Sequence, residues 1–461
     1  MLSGEPPDAG APAAGSDREI HAYYADPIGT LTRLRARGLP GCPITAGVHD
    51  PVVVCDADET QRILNDQHGF HRSGAIFGGA EGSALYQASY GLLAMNGAEH
   101  KLHRQRLLAF FRDRSREGGF AQATQRAAAA VTHDWRADDE VDVAQAGRDI
   151  SFAVLCDAVF GITGAAEQRL LGEQLDSWIE YCLLPGSRLL GKHGQVPAEA
   201  ERRSRELIAV MMGLITAPAP QSQPSALVSW LFEARDRGVI DDAALIGQLV
   251  TMLTAGWETT SAAICWTLAL LAHHPAVGRQ LHEEVTAGPA AADAATLHRL
   301  PVLDGVARES LRLLPPAPGI KRIARHGQEV AGLAVEAGAE VICSPYLLQR
   351  DAAGFADAHL FRPERWWNGE MRPGSAYYLP FGVGWRRCVG ERLALTELKS
   401  ALAYLLSRYA FVVPGDCRID YRVRLSFSPA SPVRLRLHER GDWLDAPPAS
   451  GTWRRLAPLG P

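Results

Sequence analysis

Paired cysteines are what this chain lacks first. Its eight, at positions 42, 55, 156, 182, 265, 343, 388 and 417, are scattered, and no Cys-x-x-Cys occurs. Zinc ribbons and thioredoxin-like dithiol sites are thereby excluded. No run of 18 uncharged apolar residues exists, so no membrane-spanning helix is predicted. Charge of one sign is also scarce: a net −5 over 461 residues gives no reason to expect nucleic acid or an acidic surface as partner. There is no internal repeat and no Gly-x-Gly-x-x-Gly on a strand–helix unit to take a dinucleotide. The N-terminus has neither a basic start nor an apolar core segment; Met1–Ser16 is rich in Gly, Pro and Ala, and residues 1–20 read as a disordered tail. Free cysteines without a leader favour a reducing, cytoplasmic setting.

What is present is apolar material for a large core, 47% of residues. Pro51–Cys55 reads as a strand, followed by helical periodicity through Leu64. Ser73–Gly91 is rich in Gly, Ala and Ser and reads as a long loop, a class that is usually functional or disordered. Glu99–Arg106 opens a basic helix on which His100 and Arg104 share a face; it reads as a solvated charged surface, and a zinc site is disfavoured because the pattern is not His-Glu-x-x-His and no third ligand follows. From Asp149 to about Ala217 the pattern is helical, broken at Pro185. Gly186–His193 resembles a phosphate-binding loop, but His193 replaces the magnesium-binding hydroxyl and no strand precedes it.

The strongest helical signal runs from Asp241 to His274, roughly 50 Å at 1.5 Å per residue, and Pro275 ends it. Asp241 or Asp242 is its predicted N-cap, while His273 and His274 suit its negative end. Within it stands Ala255-Gly256-Trp257-Glu258-Thr259-Thr260. An acid beside hydroxyls in an apolar helix is costly to bury without purpose, although threonine can also bond back to its own helix. Glu309-Ser310-Leu311-Arg312 places an ion pair at i,i+3, a weak signal alone, since Glu59-Thr60-Gln61-Arg62 has it too.

One cysteine has different surroundings from the rest. Phe381-Gly382-Val383-Gly384-Trp385-Arg386-Arg387-Cys388-Val389-Gly390 precedes a helical pattern starting at Glu391. Cations and a helix N-terminus lower a thiol pKa and favour the metal-ligating thiolate. The glycines at 382, 384 and 390 permit positive φ and close approach of a flat ligand. The alternative is a buried cysteine acting as a small hydrophobe.

The pattern Phe-x-x-Gly-x-Arg-x-Cys-x-Gly resembles the haem-binding loop of the cytochrome P-450 superfamily. Four further segments resemble that family in its order: His100 with Arg104, the Ala255–Thr259 block, Glu309 with Arg312, and Phe361–Trp366. The resemblance spans about Ala22 to His438. It implies a mainly α fold with a smaller β-rich side, haem lying between the long central helix and the Cys388 loop. The implied organisation is one haem-thiolate monooxygenase domain over 21–440 and a loose tail over 441–461.

It further implies haem b ligated through Cys388, with Ala255, Phe381, Gly382 and Gly390 against the cofactor. Its propionates would be held by His100, Arg104, Arg322 and Arg386. Glu258 and Thr259 would relay protons, and Glu309, Arg312 and Arg365 would form a structural ion network behind the haem. Trp257 is larger than the family's usual residue there and has no assigned role.

The implied reaction inserts one oxygen atom from dioxygen into a lipophilic small molecule, by hydroxylation or epoxidation. Coupling or desaturation without insertion, and a non-catalytic haem-binding protein, are the alternatives. Pocket walls are expected at 73–91, 178–192, 252–259, 317–320 and 427–429, with Ser428-Pro429 turning toward the substrate. Electrons would come from NAD(P)H through a reductase and an acidic ferredoxin or flavodoxin. That partner would dock near Arg104, Arg106, Arg112, Arg387, Arg392 and Lys399.

Overall fold

The computed structural model describes residues 20, 22–44, 51–72, 79–182, 197–216, 224–287, 294–371, 374–445 and 448–456. The expected phosphate-loop mimic at 186–193 and the break at Pro185 lie outside them. The central helix spans Asp242–Ala272, and Asp241 caps it by accepting from the Ala244 N–H at 2.7 Å. At its other end the ring Nδ1 atoms of His273 and His274 meet the carbonyls of Ala269 and Leu270, each at 2.7 Å. Burial pushes both imidazoles down, so they close the helix as neutral donors and not as cations. Most of the helix is buried because Ala84–Ser89, Val143–Leu155 and Glu391–Leu406 pack around it. A helix apolar on all sides belongs inside the protein. Among the described residues no single helix is long and apolar enough to cross a membrane.

A five-stranded sheet lies to one side, in the order Gly41–Pro43, Val52–Val54, Glu340–Cys343, Ile320–Ala324, Phe70–His71. Val52–Val54 and Glu340–Cys343 pair in parallel, which brings the early strand beside the late one. Glu140–Asp142, Arg434–Glu439 and Tyr409–Val412 form a second sheet, and Tyr421–Val423 with Phe427–Pro429 make a separate hairpin.

Four sequence expectations are corrected. Ser83 caps a helix over Ala84–Ser89 inside the supposed long loop. The segment around it packs so closely that a Cβ on Gly91 would collide with Thr251 Oγ1, and one on Gly247 with the Tyr90 carbonyl. The helical stretch after Asp149 breaks earlier than Pro185: Val143–Leu155 runs into a π-helical turn at Cys156–Phe160, and Gly161 ends it at φ 75°. Ser428 and Pro429 lie in a strand, not in the turn. The tail beyond 441 is not loose where described, since Trp443 and Trp453 are 3% and 1% exposed.

Behind the cysteine loop sits a fully buried ion network. Glu309 accepts from Arg312 at 2.8 and 2.9 Å, Arg365 Nε at 3.1 Å, Trp366 Nε1 at 2.9 Å and the Arg362 N–H at 3.0 Å. Arg312 also donates to the carbonyls of Gln349, Ala358 and Leu360. Gln349 in turn donates to the carbonyls of Leu311 and Arg312 and accepts from the Leu379 N–H at 2.8 Å. Leu379 leads directly into the cysteine loop, whose first turn closes through Gly382 N–H to the Leu379 carbonyl at 3.0 Å. Burial alone would raise the Glu309 carboxyl pKa, but Arg312 and Arg365 hold it below the ordinary value.

Arg312→Met would leave Glu309 buried with half its counter-charge, a loss expected to cost about 3–5 kcal/mol in chemical denaturation. Because the folded pKa of Glu309 is depressed, its contribution is fully present above about pH 4.3. It should fall away as pH drops through the folded value. A pH–stability profile from 7 to 3, wild type against Glu309→Gln, checks this: the two curves should converge on acidification.

Candidate functional site

The cysteine loop is shaped by two glycines in the left-handed region, Gly382 at φ 67° and Gly384 at φ 71°. Gly384 also lies so near the helix Ala57–Asn65 that a Cβ would meet the Leu64 carbonyl at 2.9 Å. Gly390 does not share this geometry: its φ is −91° and it is the N-cap of Glu391–Leu406. The Cys388 N–H donates to the Phe381 carbonyl at 2.9 Å, closing the loop. All eight cysteines are free; seven are buried and Cys388 is exposed. Crowding by protein atoms holds its thiol up at about 11, against the Gly390 N–H and the charges of Arg104 and Arg387. The sequence expectation of a lowered thiol pKa is thus reversed for the protein alone, because desolvation exceeds the cationic field. A coordinated metal ion reverses that balance, since a metal-bound thiol is deprotonated outright.

A cluster of cations lies beside the loop. Arg322 is 3% exposed; desolvation, then the neighbouring Arg72, push its guanidinium down to about 10. Arg386 is pushed to about 9 by desolvation and by Arg322, Arg72, Arg104 and Arg325. His100 falls to about 3 by burial and the charges of Arg386, Arg104 and Arg322, so it is a neutral imidazole. Its ring meets the Trp385 ring edge-on, 5.3 Å between centroids. Among the described residues no carboxylate hydrogen-bonds to Arg322 or Arg386, and the buried Nε of each, with Trp385 Nε1, lacks a partner. Burying charge unpaired is costly. A flat ligand with two carboxylates suits this donor set, so the residues fit a haem. Arg104 belongs to the same cluster, its charge acting on Arg386, and its Nη1 donates to the Arg387 carbonyl at 2.6 Å, bracing the loop.

Sequence reading missed Arg72 and Asn96. Asn96 Oδ1 accepts from the Arg72 N–H at 3.1 Å and from Arg386 Nη2 at 2.8 Å, joining the two arginine segments. Arg72 follows a two-residue strand, and only the pairing of Phe70–His71 with Ile323 and Ala324 brings it to Arg322. No local motif could have announced it.

On the central helix, burial lapses at Ala255, Gly256 and Thr259 while Trp257, Glu258 and Thr260 are buried. Thr259 Oγ1 donates to the Ala255 carbonyl at 2.7 Å and Thr260 Oγ1 to that of Gly256 at 3.2 Å. A Cβ on Gly256 would meet Leu155 at 2.9 Å, which explains that glycine by helix packing. Trp257 points to the neighbouring helix: its Nε1 donates to the Arg148 carbonyl at 3.0 Å and the Arg148 guanidinium stands 4.4 Å over its ring.

Glu258 opens onto a cleft of about 300 Å³, lined also by Arg148, Asp176, Glu180, Arg422 and Arg424, and its Oε2 has no partner among the described residues. Burial raises its pKa, with Arg148, Arg422 and Arg424 opposing and Asp176 reinforcing. Glu258 and Thr259 are therefore adjacent in sequence but make no hydrogen bond to each other.

Comparison of the whole fold defines the class first. The chain superposes on the cytochrome P450DA heme domain with a TM-score of 0.74 at 22% identity, covering 91% of this chain and 94% of that one. It matches a 6-coordinated cytochrome P450 from Thermus thermophilus with a TM-score of 0.66, also at 22%, over 89% and 98%. The fold is shared with these two cytochrome P450 structures. The Cytochrome P450 family model matches residues 26–432, and the chain belongs to that family. It is 30% identical to cyclooctatin synthase of Streptomyces melanosporofaciens over 362 residues, 75% of this chain and 78% of that protein. It is 32% identical to the mitochondrial 25-hydroxyvitamin D-1 alpha hydroxylase of Mus musculus over 59% of this chain and 54% of that one. The protein is a haem-dependent monooxygenase that uses dioxygen, an organic substrate and a redox partner.

Because Arg322 is buried at an energetic cost in the protein alone, Arg322→Met should leave the haem-free protein at least as stable as wild type in urea. A loss above about 1 kcal/mol would show instead that its hydrogen bond to the Lys321 carbonyl is structural.

Proposed function

We propose that Cys388 Sγ ligates the iron of haem b, and that the enzyme inserts one oxygen atom into a lipophilic small molecule, by hydroxylation or epoxidation. The observation that carries this is the one exposed cysteine, in a glycine-turned loop beside guanidinium groups that have no carboxylate partner among the described residues. Haem bound through a thiolate supplies the activation of dioxygen. Arg322, Arg386 and His100 would hold the propionates, with Arg72 reinforcing the positive field, by charge-assisted bonds from the guanidiniums and a neutral one from the imidazole. Arg104 would join them on the propionates while its Nη1 braces the loop through the Arg387 carbonyl. Ala255, Phe381, Gly382 and Gly390 would lie against the cofactor.

Thr259 and Glu258 divide the handling of protons. Thr259 Oγ1 holds its proton toward the Ala255 carbonyl and would turn it outward on the half-exposed face. Glu258, raised in pKa and open to the cleft, would take up protons there and return them through water. Mostly apolar segments at 252–259, 317–320 and 427–429 favour a terpenoid, fatty acid or aromatic natural product. The walls expected at 73–78 and 183–192 lie outside the described residues.

The electron donor would be an acidic ferredoxin or flavodoxin docking on exposed Arg106, Arg112, Arg387 and Arg392. Lys399 leaves that surface: it is 1% exposed and bound to Asp304 at 2.5 Å.

The reduced carbon monoxide complex should show the red-shifted Soret band of thiolate ligation, and Cys388→Ser should lose it. Retention of that band by the serine variant would assign the iron to another residue. Screening lipophilic compounds for a spin-state shift of the same band would identify the substrate.

Thr259→Ala should keep haem and accept electrons but release peroxide: the assisted proton transfer should slow about 10²- to 10⁴-fold, and product per NAD(P)H should fall as peroxide rises. Thr260→Ala, on a buried face, should stay coupled. Product and peroxide per NAD(P)H in both variants decide it; a larger loss at Thr260 would mean the wrong threonine carries the proton.

A further inference from the structure

Beyond residue 432, where the family match ends, the chain returns to the hairpin Tyr421–Val423/Phe427–Pro429 and grips both of its strands. Ser450 N–H donates to the Cys417 carbonyl at 2.9 Å, Ile419 N–H to the Ser450 carbonyl at 3.1 Å, and Trp453 N–H to the Ile419 carbonyl at 3.1 Å. Thr452 Oγ1 accepts from the Tyr421 N–H at 3.2 Å, and the Thr452 N–H donates to Asp420 Oδ1 at 2.8 Å. These bonds hold the segment leading into the first strand and its first residue, Tyr421. The second is held through aromatic rings. Trp453, 1% exposed, stacks on Trp266 with 6.1 Å between centroids, and Trp266 Nε1 donates to the Phe427 carbonyl at 2.8 Å. His273 Nε2 accepts from the Ala449 N–H at 3.1 Å, and Arg350 donates to the Leu456 carbonyl at 2.8 Å, anchoring the two ends.

The hairpin needs such support, because two three-residue strands alone are marginal in water. Its other face reaches the central helix at a sensitive place: Arg422 and Arg424 line the cleft of Glu258. The remaining charges on that cleft are Arg148 from the helix Val143–Leu155, which pairs with Asp176, and Asp176 and Glu180 from Ala165–Cys182.

We propose that residues 448–456 are a strap that holds the hairpin against the central helix and so fixes Arg422 and Arg424 opposite Glu258. Trp453 and Thr452 act as positioning residues for the proton acid. This rests on the reading of Glu258 as part of the relay.

The test compares Trp453→Ala, Trp453→Phe, Thr452→Val, Arg422→Gln and the double variant Trp453→Ala/Arg422→Gln, each in the haem-loaded enzyme. Amide hydrogen exchange over 421–429 should quicken at least about tenfold in Trp453→Ala and recover in Trp453→Phe. The Glu258 carboxyl band, isolated by infrared difference against Glu258→Gln, should titrate about one pH unit or more higher in Trp453→Ala, because the cations that lower its pKa move away. Arg422→Gln should raise that midpoint similarly, and the double variant should add nothing further.

Unchanged exchange in the hairpin, an unmoved Glu258 midpoint, or additive shifts in the double variant would each overturn the strap. Should Trp453→Ala fail to fold, Thr452→Val, which removes the acceptor of the Tyr421 N–H while leaving the aromatic stack, decides on the same two readouts. The underlying reading fails separately: Glu258→Gln with unchanged peroxide release would remove the relay, while exchange and midpoint still judge the strap.

Discussion

The Glu309 carboxylate is the constraint on which the rest of the structure depends. A carboxylate with no solvent exposure persists only when each lone pair is used, and here five donors from four residues converge on its two oxygens. Those donors come from a helix and from the 3-10 turn Pro363–Trp366 with its N-cap Arg362, so the charge pins two segments more than fifty residues apart. Through Arg312 and Gln349 the same network reaches Leu379, and thus the loop that carries Cys388. A buried ion pair is weak evidence of net stability. Its value here is geometric, since it sets where the cysteine loop begins.

The cation cluster beside that loop is built on the opposite principle. Glu309 is satisfied within the protein, whereas Arg322 and Arg386 are held where their charge is disfavoured and their Nε groups have no partner among the described residues. Such groups bring no stability to the chain alone and would recover the lost energy only on an anionic ligand. This contrast separates the structural arginines Arg312 and Arg365 from Arg322 more sharply than burial does, because all three are nearly inaccessible.

The central helix shows how phase divides labour. At about 100° per residue, Trp257, Glu258 and Thr259 leave the helix in three directions. Trp257 fills the seam with the helix Val143–Leu155, Glu258 opens to a charged cleft, and Thr259 remains on the half-exposed side. The large indole is accommodated because Arg148 offers both a carbonyl for its N–H and a cation for its face.

Local sequence by itself determined several of the elements and many of the chemistry-bearing residues. The uninterrupted apolar periodicity of the central helix, its Asp241 cap and the glycine-turned cysteine loop are properties of neighbouring residues, and they are legible without a fold. The same holds for the i,i+3 spacing of Glu309 and Arg312, but that spacing recurs in Glu59 and Arg62, a half-exposed surface pair. Only the tertiary structure distinguishes them, because burial and the arrival of Arg365 are decided by distant chain. Tertiary packing likewise decided that Gly390 keeps a negative φ, that Lys399 is buried, and that Arg72 and Asn96 join the cation cluster. It also decided that the described residues after 441 dock and do not hang free. Each of these depends on contacts across tens to hundreds of residues, whose energies come from desolvation and charge proximity, and no local pattern encodes either.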